Sequence, residues 1–165
     1  MKFKPQTRRP LQELAQCLDG QRVAMLTLRD SAGRLVSQPM TPQEMDARGC
    51  IWIMLCSSAT AQRIGARGAA VNLAFSDERR GTYVSISGHA HLVHDVQRKR
   101  ALWSEVARAW CPGGAEDPAL LLLRIDPAYA EVWDGPTSAV VRTLALSPSA
   151  AAARALPPPS RAPVR

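Results

Sequence analysis

The sequence predicts a mainly β fold with some α structure, an antiparallel β-barrel flanked by two or three helices. Three observations predict it. Between Pro10 and Ala145 the apolar runs are mostly short and strand-sized, about seven of them. Neighbouring runs are joined by short turns, which favours antiparallel pairing. A sheet of that kind removes its exposed edges most simply by closing into a barrel.

Leu11, Leu14 and Leu18 have the i, i+3, i+7 spacing of a short amphipathic helix, and Gly20 stands where a C-cap falls. Residues 23–28 and Leu35–Met40 are extended runs, and Asp30, Ser31 and Gly33 between them are turn formers, so the pair reads as a hairpin. Ile51–Leu55 is a compact apolar strand. Ser58–Ile64 is long enough for about two helical turns before Gly65 and Gly68 interrupt it. Strands over 71–75 and Thr82–Val93 follow, separated by a charged turn. Residues 97–110 read as the one substantial helix, with Leu102, Val106 and Trp110 on one face and Pro112, Gly113 and Gly114 ending it. Residues 119–125 and 129–133 are the closing strands, with Asp126 and Pro127 turning the chain between them.

The chain has 165 residues, 46% hydrophobic and 21% charged, as expected of one globular domain. Its 21 Lys and Arg against 14 Asp and Glu give a net +7. The excess lies at the ends: Lys2, Lys4, Arg8 and Arg9 at one, and Arg154, Arg161 and Arg165 at the other. Residues 1–9 therefore read as a basic N-terminal segment and 10–145 as a formally neutral domain. Residues 146–165, rich in Ala, Pro and Arg, read as a disordered tail. Aromatic residues are only 5% and do not interleave with basic ones, so no specific nucleic acid is expected as a partner. No apolar run approaches the roughly 20 residues of a membrane span. The basic N-terminal residues have no apolar stretch after them, so a cytoplasmic location is expected and no membrane association. Cys17, Cys50, Cys56 and Cys111 are widely spaced in apolar surroundings without a C-x-x-C pair, and are expected to be reduced, mostly buried thiols.

His89 and His91 alternate on one strand and share a face, with His94 nearby, but only Asp95 is at hand as a further ligand. No metal site is expected, and the histidines read as partly exposed strand residues. There is no G-x-G-x-x-G after a strand, no Walker loop, no G-x-S-x-G elbow and no H-E-x-x-H. Gly113 and Gly114 follow a helix instead of opening one, so they make a turn and not a phosphate cradle. No residue identifies itself as a catalytic acid, base or nucleophile.

The order of segments carries more information than any one of them. It runs VAMLTL over 23–28, Ser37-Gln38-Pro39-Met40, IWIML over Ile51–Leu55 and the polar stretch 57–63. VNLAFSD over 71–77, YVSISG over 83–88, W-x-P-G-G-x-x-D-P from Trp110 to Pro118, and AEVWD over 130–134 complete it. This order resembles the general stress protein subgroup of the pyridoxamine 5'-phosphate oxidase-like family, the FMN-binding split barrels, over about 11–143. The resemblance implies a Greek-key split β-barrel, a homodimer with FMN in each of two interfacial grooves, and an oxidoreductase-like activity on a small molecule. It places flavin contacts on Ser37, Gln38, Pro39 and Met40, and on Leu55, Cys56, Ser57, Ser58 and Thr60. Arg63 stands just downstream, and the partner chain contributes around Trp110 and Trp133. Family members carry Arg at Gln38 and Lys at Thr60, the cations that neutralise the phosphate. If each charge-assisted bond is worth roughly 1.5–3 kcal/mol, their loss weakens FMN by about a hundredfold to ten-thousandfold. Arg63, Arg67 and the hydroxyls of Ser58 and Thr60 are the groups that offset this. The alternative is a non-enzymatic dimeric binding module of the same fold with weak or lost FMN binding.

Overall fold

In the computed structural model, which describes residues 1–56, 58–104, 107–108, 111–134 and 140–147, one curled sheet carries most of the chain. The described elements are β1 (Lys2–Phe3), α1 (Arg9–Leu18), β2 (Ala24–Arg29), β3 (Leu35–Met40), β4 (Pro42–Met45), β5 (Ile51–Leu55), α2 (Ser58–Ile64), β6 (Ala69–Asp77), β7 (Thr82–Val93), α3 (Val96–Leu102), β8 (Leu121–Asp134) and β9 (Val140–Ala145). The strands follow the order β1-β4-β5-β8-β7-β6-β2-β3, with β9 added to β8. All pairs are antiparallel except β1 with β4. The predicted mainly β fold is the observed one. The hydrogen-bonded path ends at β3 and β1, so the barrel is split, as the resemblance implies, and keeps the two edges that full closure would remove. No helix among the described residues is long and apolar enough to cross a membrane.

Strand alternation builds the core. Leu26 and Leu28 of β2, Val71, Leu73 and Phe75 of β6, Val84 and Ile86 of β7, and Ala130 and Val132 of β8 all point into one cluster, which Leu11, Leu14 and Leu18 of α1 cover. Strand β5 is buried along its whole length because it serves two clusters. Ile51 and Ile53 enter the large core, while Trp52 and Met54 face a second one with Leu102, Ala107, Cys111, Leu120 and Leu122.

Two local readings of the sequence are corrected. Asp126 and Pro127 do not turn the chain, because β8 runs through them with a register shift between Ser87 and Gly88 of β7. Proline, lacking an N–H, is tolerated at such a bulge. Opposite it stands Gly88, where a Cβ would collide with the Asp126 carbonyl oxygen. The helix expected over 97–110 breaks at Trp103, whose backbone is extended (φ −58°, ψ 136°). Ser104 Oγ accepts the Ala107 N–H at 3.2 Å and starts a separate helical turn, since a serine cap competes with helix continuation. Trp110, at the end of that expected helix, lies outside the described residues.

The basic N-terminal segment is part of the sheet. Lys2 and Phe3 pair with Glu44 and Met45 of β4, an element with no sequence signal beyond its neighbours. Glu44 is 4% exposed, with its carboxylate 2.8 Å from Arg98 Nη2 and 4.0 Å from Lys4 Nζ. The Arg98 guanidinium in turn lies 4.5 Å from the Trp52 ring centroid. At the other end Leu146 is 1% exposed and its N–H donates to Ala128, so the ordered chain extends past 145. The rest of the expected tail, 148–165, lies outside the described residues.

Gly88→Ala is expected to lower stability by about 1–3 kcal/mol, because the added methyl forces β7 and β8 apart at the bulge. An unchanged midpoint in urea denaturation contradicts this. Arg98→Ala leaves a buried carboxylate with only the distant Lys4, and is expected to cost roughly 3 kcal/mol by the same measurement.

Candidate functional site

The end of β3 and the end of β5 meet at a cavity of about 480 Å³. The alternation of β3 turns Gln38 and Met40 toward the protein and leaves Ser37 exposed, hydrogen-bonded to Thr27 at 2.7 Å. Pro39 fits here because β3 is an edge strand that loses no ladder bond to it. Gln38, Pro39 and Met40 line the cavity, as do Leu55 and Cys56. Five of the residues expected to contact a flavin are thus brought together from two strands.

The other expected residues are placed elsewhere. Thr60 is fully buried, and its hydroxyl accepts a 2.6 Å hydrogen bond from Gln38 Nε2, so the two positions that stand in for the family's cations hold each other. Ser58 opens α2 and is exposed. Arg63 lines a second, broader depression of about 960 Å³ together with Thr27, Asn72, Ser87, His89 and Tyr129. Trp133 is half-buried in β8, opposite Tyr83. Ser57 and Trp110 lie outside the described residues.

Val23, Thr41, Gln43, Met54, Ala107 and Cys111 complete the lining, and the sequence pattern does not single them out for it. Val23 opens the 23–28 run, and Thr41 directly follows Met40. Gln43 is oriented from both sides: its Nε2 donates to Thr41 O at 2.9 Å and its Oε1 accepts from Ser104 Oγ at 3.0 Å.

Cys111 arrives from the W-x-P-G-G-x-x-D-P run, which in this fold is a clip. The Asp117 carboxylate packs where a Cβ of Gly113 would sit, and its Oδ1 accepts the Ala119 N–H at 2.8 Å. Gly114 N–H closes the turn on the Cys111 carbonyl at 3.2 Å. Arg100 of α3 grips Glu116 with two bonds, 2.5 and 3.1 Å, and this guanidinium holds the Glu116 carboxyl below its ordinary value.

The cysteines correct the expectation of reduced thiols. Cys56 and Cys111 form a disulfide across the cavity wall, with Cα atoms 6.0 Å apart, inside the usual range for such a bridge. Pairing across 55 positions needs the fold to be known, so spacing alone could not reveal it. Cys17 and Cys50 are unbridged. Burial, with a hydrogen bond to Asp126, pushes the Cys50 thiol up to about 12.

His89 and His91 do share a face, with Nδ1 and Nε2 3.2 Å apart and ring centroids at 4.7 Å. His91 also lies 3.6 Å from Asp126. Among the described residues no group of three or more His, Cys, Asp or Glu is arranged to hold a metal ion.

The cavity is of the size that takes small ligands, roughly 300–1,000 Å³. Its Val, Pro, Met and Leu walls suit a flat heteroaromatic ring, and Gln38, Thr41 and Gln43 offer neutral polar groups at the rim of such a ring. Among the described residues lining it there is no Lys, Arg or His, so the lining fits the ring system of a flavin and supplies no countercharge for its phosphate.

Comparison with known proteins agrees with this architecture. The family model for pyridoxamine 5'-phosphate oxidase-like proteins matches residues 9–155. A general stress FMN/FAD binding protein from Xanthomonas citri is 30% identical, with 81% of this chain and 94% of that one covered at a TM-score of 0.65. A general stress family protein from Xanthomonas campestris pv. campestris is 31% identical over the same shares, also at 0.65. A protein from Clostridium acetobutylicum related to general stress protein 26 shares the fold at a TM-score of 0.70 with 18% identity, covering 82% of this chain and 93% of that one. No curated protein matches. With its model spanning nearly the whole described region and two solved structures at 30% identity or more, the chain belongs to the pyridoxamine 5'-phosphate oxidase-like family.

Proposed function

We propose that this chain is a flavin-binding protein of the general stress type that takes FMN and serves an oxidoreductase-like activity on a small molecule. The observation that carries the reading is the apolar cavity bounded by Gln38, Pro39 and Met40 on one side and Leu55 and Cys56 on the other. A relative at 30% identity described as binding FMN or FAD supports it.

When bound, the flavin supplies the redox chemistry, so the chain needs no acid, base or nucleophile of its own. The chain's part is to seat and orient the ring. Met40, Met54 and Pro39 exclude water from its faces, and the amides of Gln38 and Gln43 meet its polar edge. A homodimer belongs to this reading: Val23 on the cavity wall is 54% exposed, Met25 follows it along β2, and Leu35 at the far end of the β2–β3 hairpin adds apolar surface that a second copy would cover.

The Gln38–Thr60 bond favours a second reading, a dimeric binding module that holds flavin weakly and does not turn over. The flavin absorbance of the purified protein separates the two. Gln38→Arg restores one cation at the half-buried position and is expected to tighten FMN by roughly tenfold while leaving riboflavin, which has no phosphate, unchanged. Equal effects on both ligands, or none on FMN, in fluorescence titrations contradict the placement of the ring in this cavity.

A further inference from the structure

We propose that Cys56 and Cys111 form a reversible thiol–disulfide redox site that opens into the cavity and reacts with low-molecular-weight thiols through the Cys56 sulfur. The bridge is asymmetric. Cys56 follows the last residue of β5 and is exposed, whereas Cys111 is 3% exposed and packed among Trp52, Met54, Leu102, Leu120 and Leu122. A thiolate attacks one sulfur of a disulfide and needs a clear approach to it. Both cysteines line the cavity of about 480 Å³, which admits a small thiol, but Cys111 leaves only 3% of its surface accessible, so Cys56 offers the clear approach.

The exchange is a balanced two-electron step. The incoming thiolate bonds to the Cys56 sulfur as the bond between Cys56 and Cys111 breaks, and the leaving electron pair goes to the Cys111 sulfur, which takes up a proton. A second small thiol then attacks the mixed disulfide, freeing the Cys56 thiol and releasing a small-molecule disulfide. Two thiols are oxidised, the bridge is reduced, and the reverse sequence closes it again.

Both cysteines are held in place without the bridge. Leu55, beside Cys56, is paired with Leu121, and Cys111 is fixed by its N–H to Ala107 O at 2.9 Å and its carbonyl to Gly114 N–H at 3.2 Å. The sulfurs therefore stay close enough to re-form the bond after reduction. The remaining cysteines do not compete for the chemistry. Cys50 is kept protonated at neutral pH by burial, and Cys17 lies on α1 outside the cavity lining. Because the bridge ties the β5 wall to the wall built by Ala107 and Cys111, its state also sets how firmly the cavity is formed. That consequence for flavin affinity rests on the function proposed above.

The test uses the full-length native protein. After incubation with glutathione disulfide, alkylation in denaturant and mass measurement are expected to find two of the four cysteines modified. After incubation with millimolar reduced glutathione under native conditions, all four are expected to be modified. The Cys111→Ser variant treated with glutathione disulfide is expected to carry one glutathione, mapped to Cys56 by peptide mass, while Cys56→Ser carries none on Cys111. Four free thiols after oxidation, a bridge that opens only on unfolding, or an adduct on Cys111 overturns the proposal. If a serine variant fails to fold, the wild-type oxidation and reduction counts decide alone. FMN titration of the two wild-type redox states is a separate arm, with several-fold weaker binding expected for the reduced form. Equal binding by both states removes the link to the cavity. Binding by neither removes the flavin reading, and the thiol counts alone then decide the redox site.

Discussion

The register of β8 against β7 fixes where the other elements lie. Along one edge β8 pairs with β7 on both sides of the bulge, from Val93↔Leu122 to Tyr83↔Trp133. Along its other edge it changes partner, taking β5 over Leu121–Ile125 and β9 over Tyr129–Asp134. The change happens at the bulge beside Gly88, where the Ala128 carbonyl accepts the N–H groups of Leu146 and Ser147 at 2.8 and 3.1 Å. This is how one sheet becomes a split barrel. β5 is left buried on both faces, with its C-terminal end delivered to the cavity.

A small set of charges holds the second cluster against the first. Glu44 faces Arg98, Arg98 covers Trp52, and the Trp52 indole N–H donates to Asp46 Oδ2 at 2.8 Å. Asp46 Oδ1 also accepts from the N–H groups of Arg48 and Cys50, organising the turn between β4 and β5. Burying such a pair is costly unless every lone pair finds a donor. The arrangement therefore specifies the angle at which α3, and behind it the 107–114 clip, meets β5.

The elements that stood out in the sequence are those whose signal is local. Leu35–Met40, Ile51–Leu55, Ser58–Ile64 and Thr82–Val93 have the same bounds in the structure, because alternation, apolar runs and flanking glycines act over a few residues. Pro127 misled because a proline usually marks a turn, and only the glycine on the neighbouring strand reveals a bulge. The helix past Leu102 misled because a regular apolar spacing hid the capping serine at 104. In the cavity, residues 38–40 and 55–56 were legible through the resemblance. Thr60 was expected to offer its hydroxyl, but the fold commits it to Gln38 and leaves it without exposure. The bridge between Cys56 and Cys111 depends on pairings that no window of sequence contains.

The central position of β8 has a kinetic side. Its partner β5 lies far earlier in the chain, β1 and β4 are likewise separated by α1 and a hairpin, and the Arg8 side chain donates to the Leu146 carbonyl across 138 positions. Pairings of such long sequence separation must bear the entropy of loop closure before any contact rewards it, which places the chain among slow, high-contact-order folders. During synthesis β5 and β7 leave the ribosome before β8 exists, so two apolar strand edges wait for the strand that will join them. In that interval those edges are open to pairing with another copy of the chain.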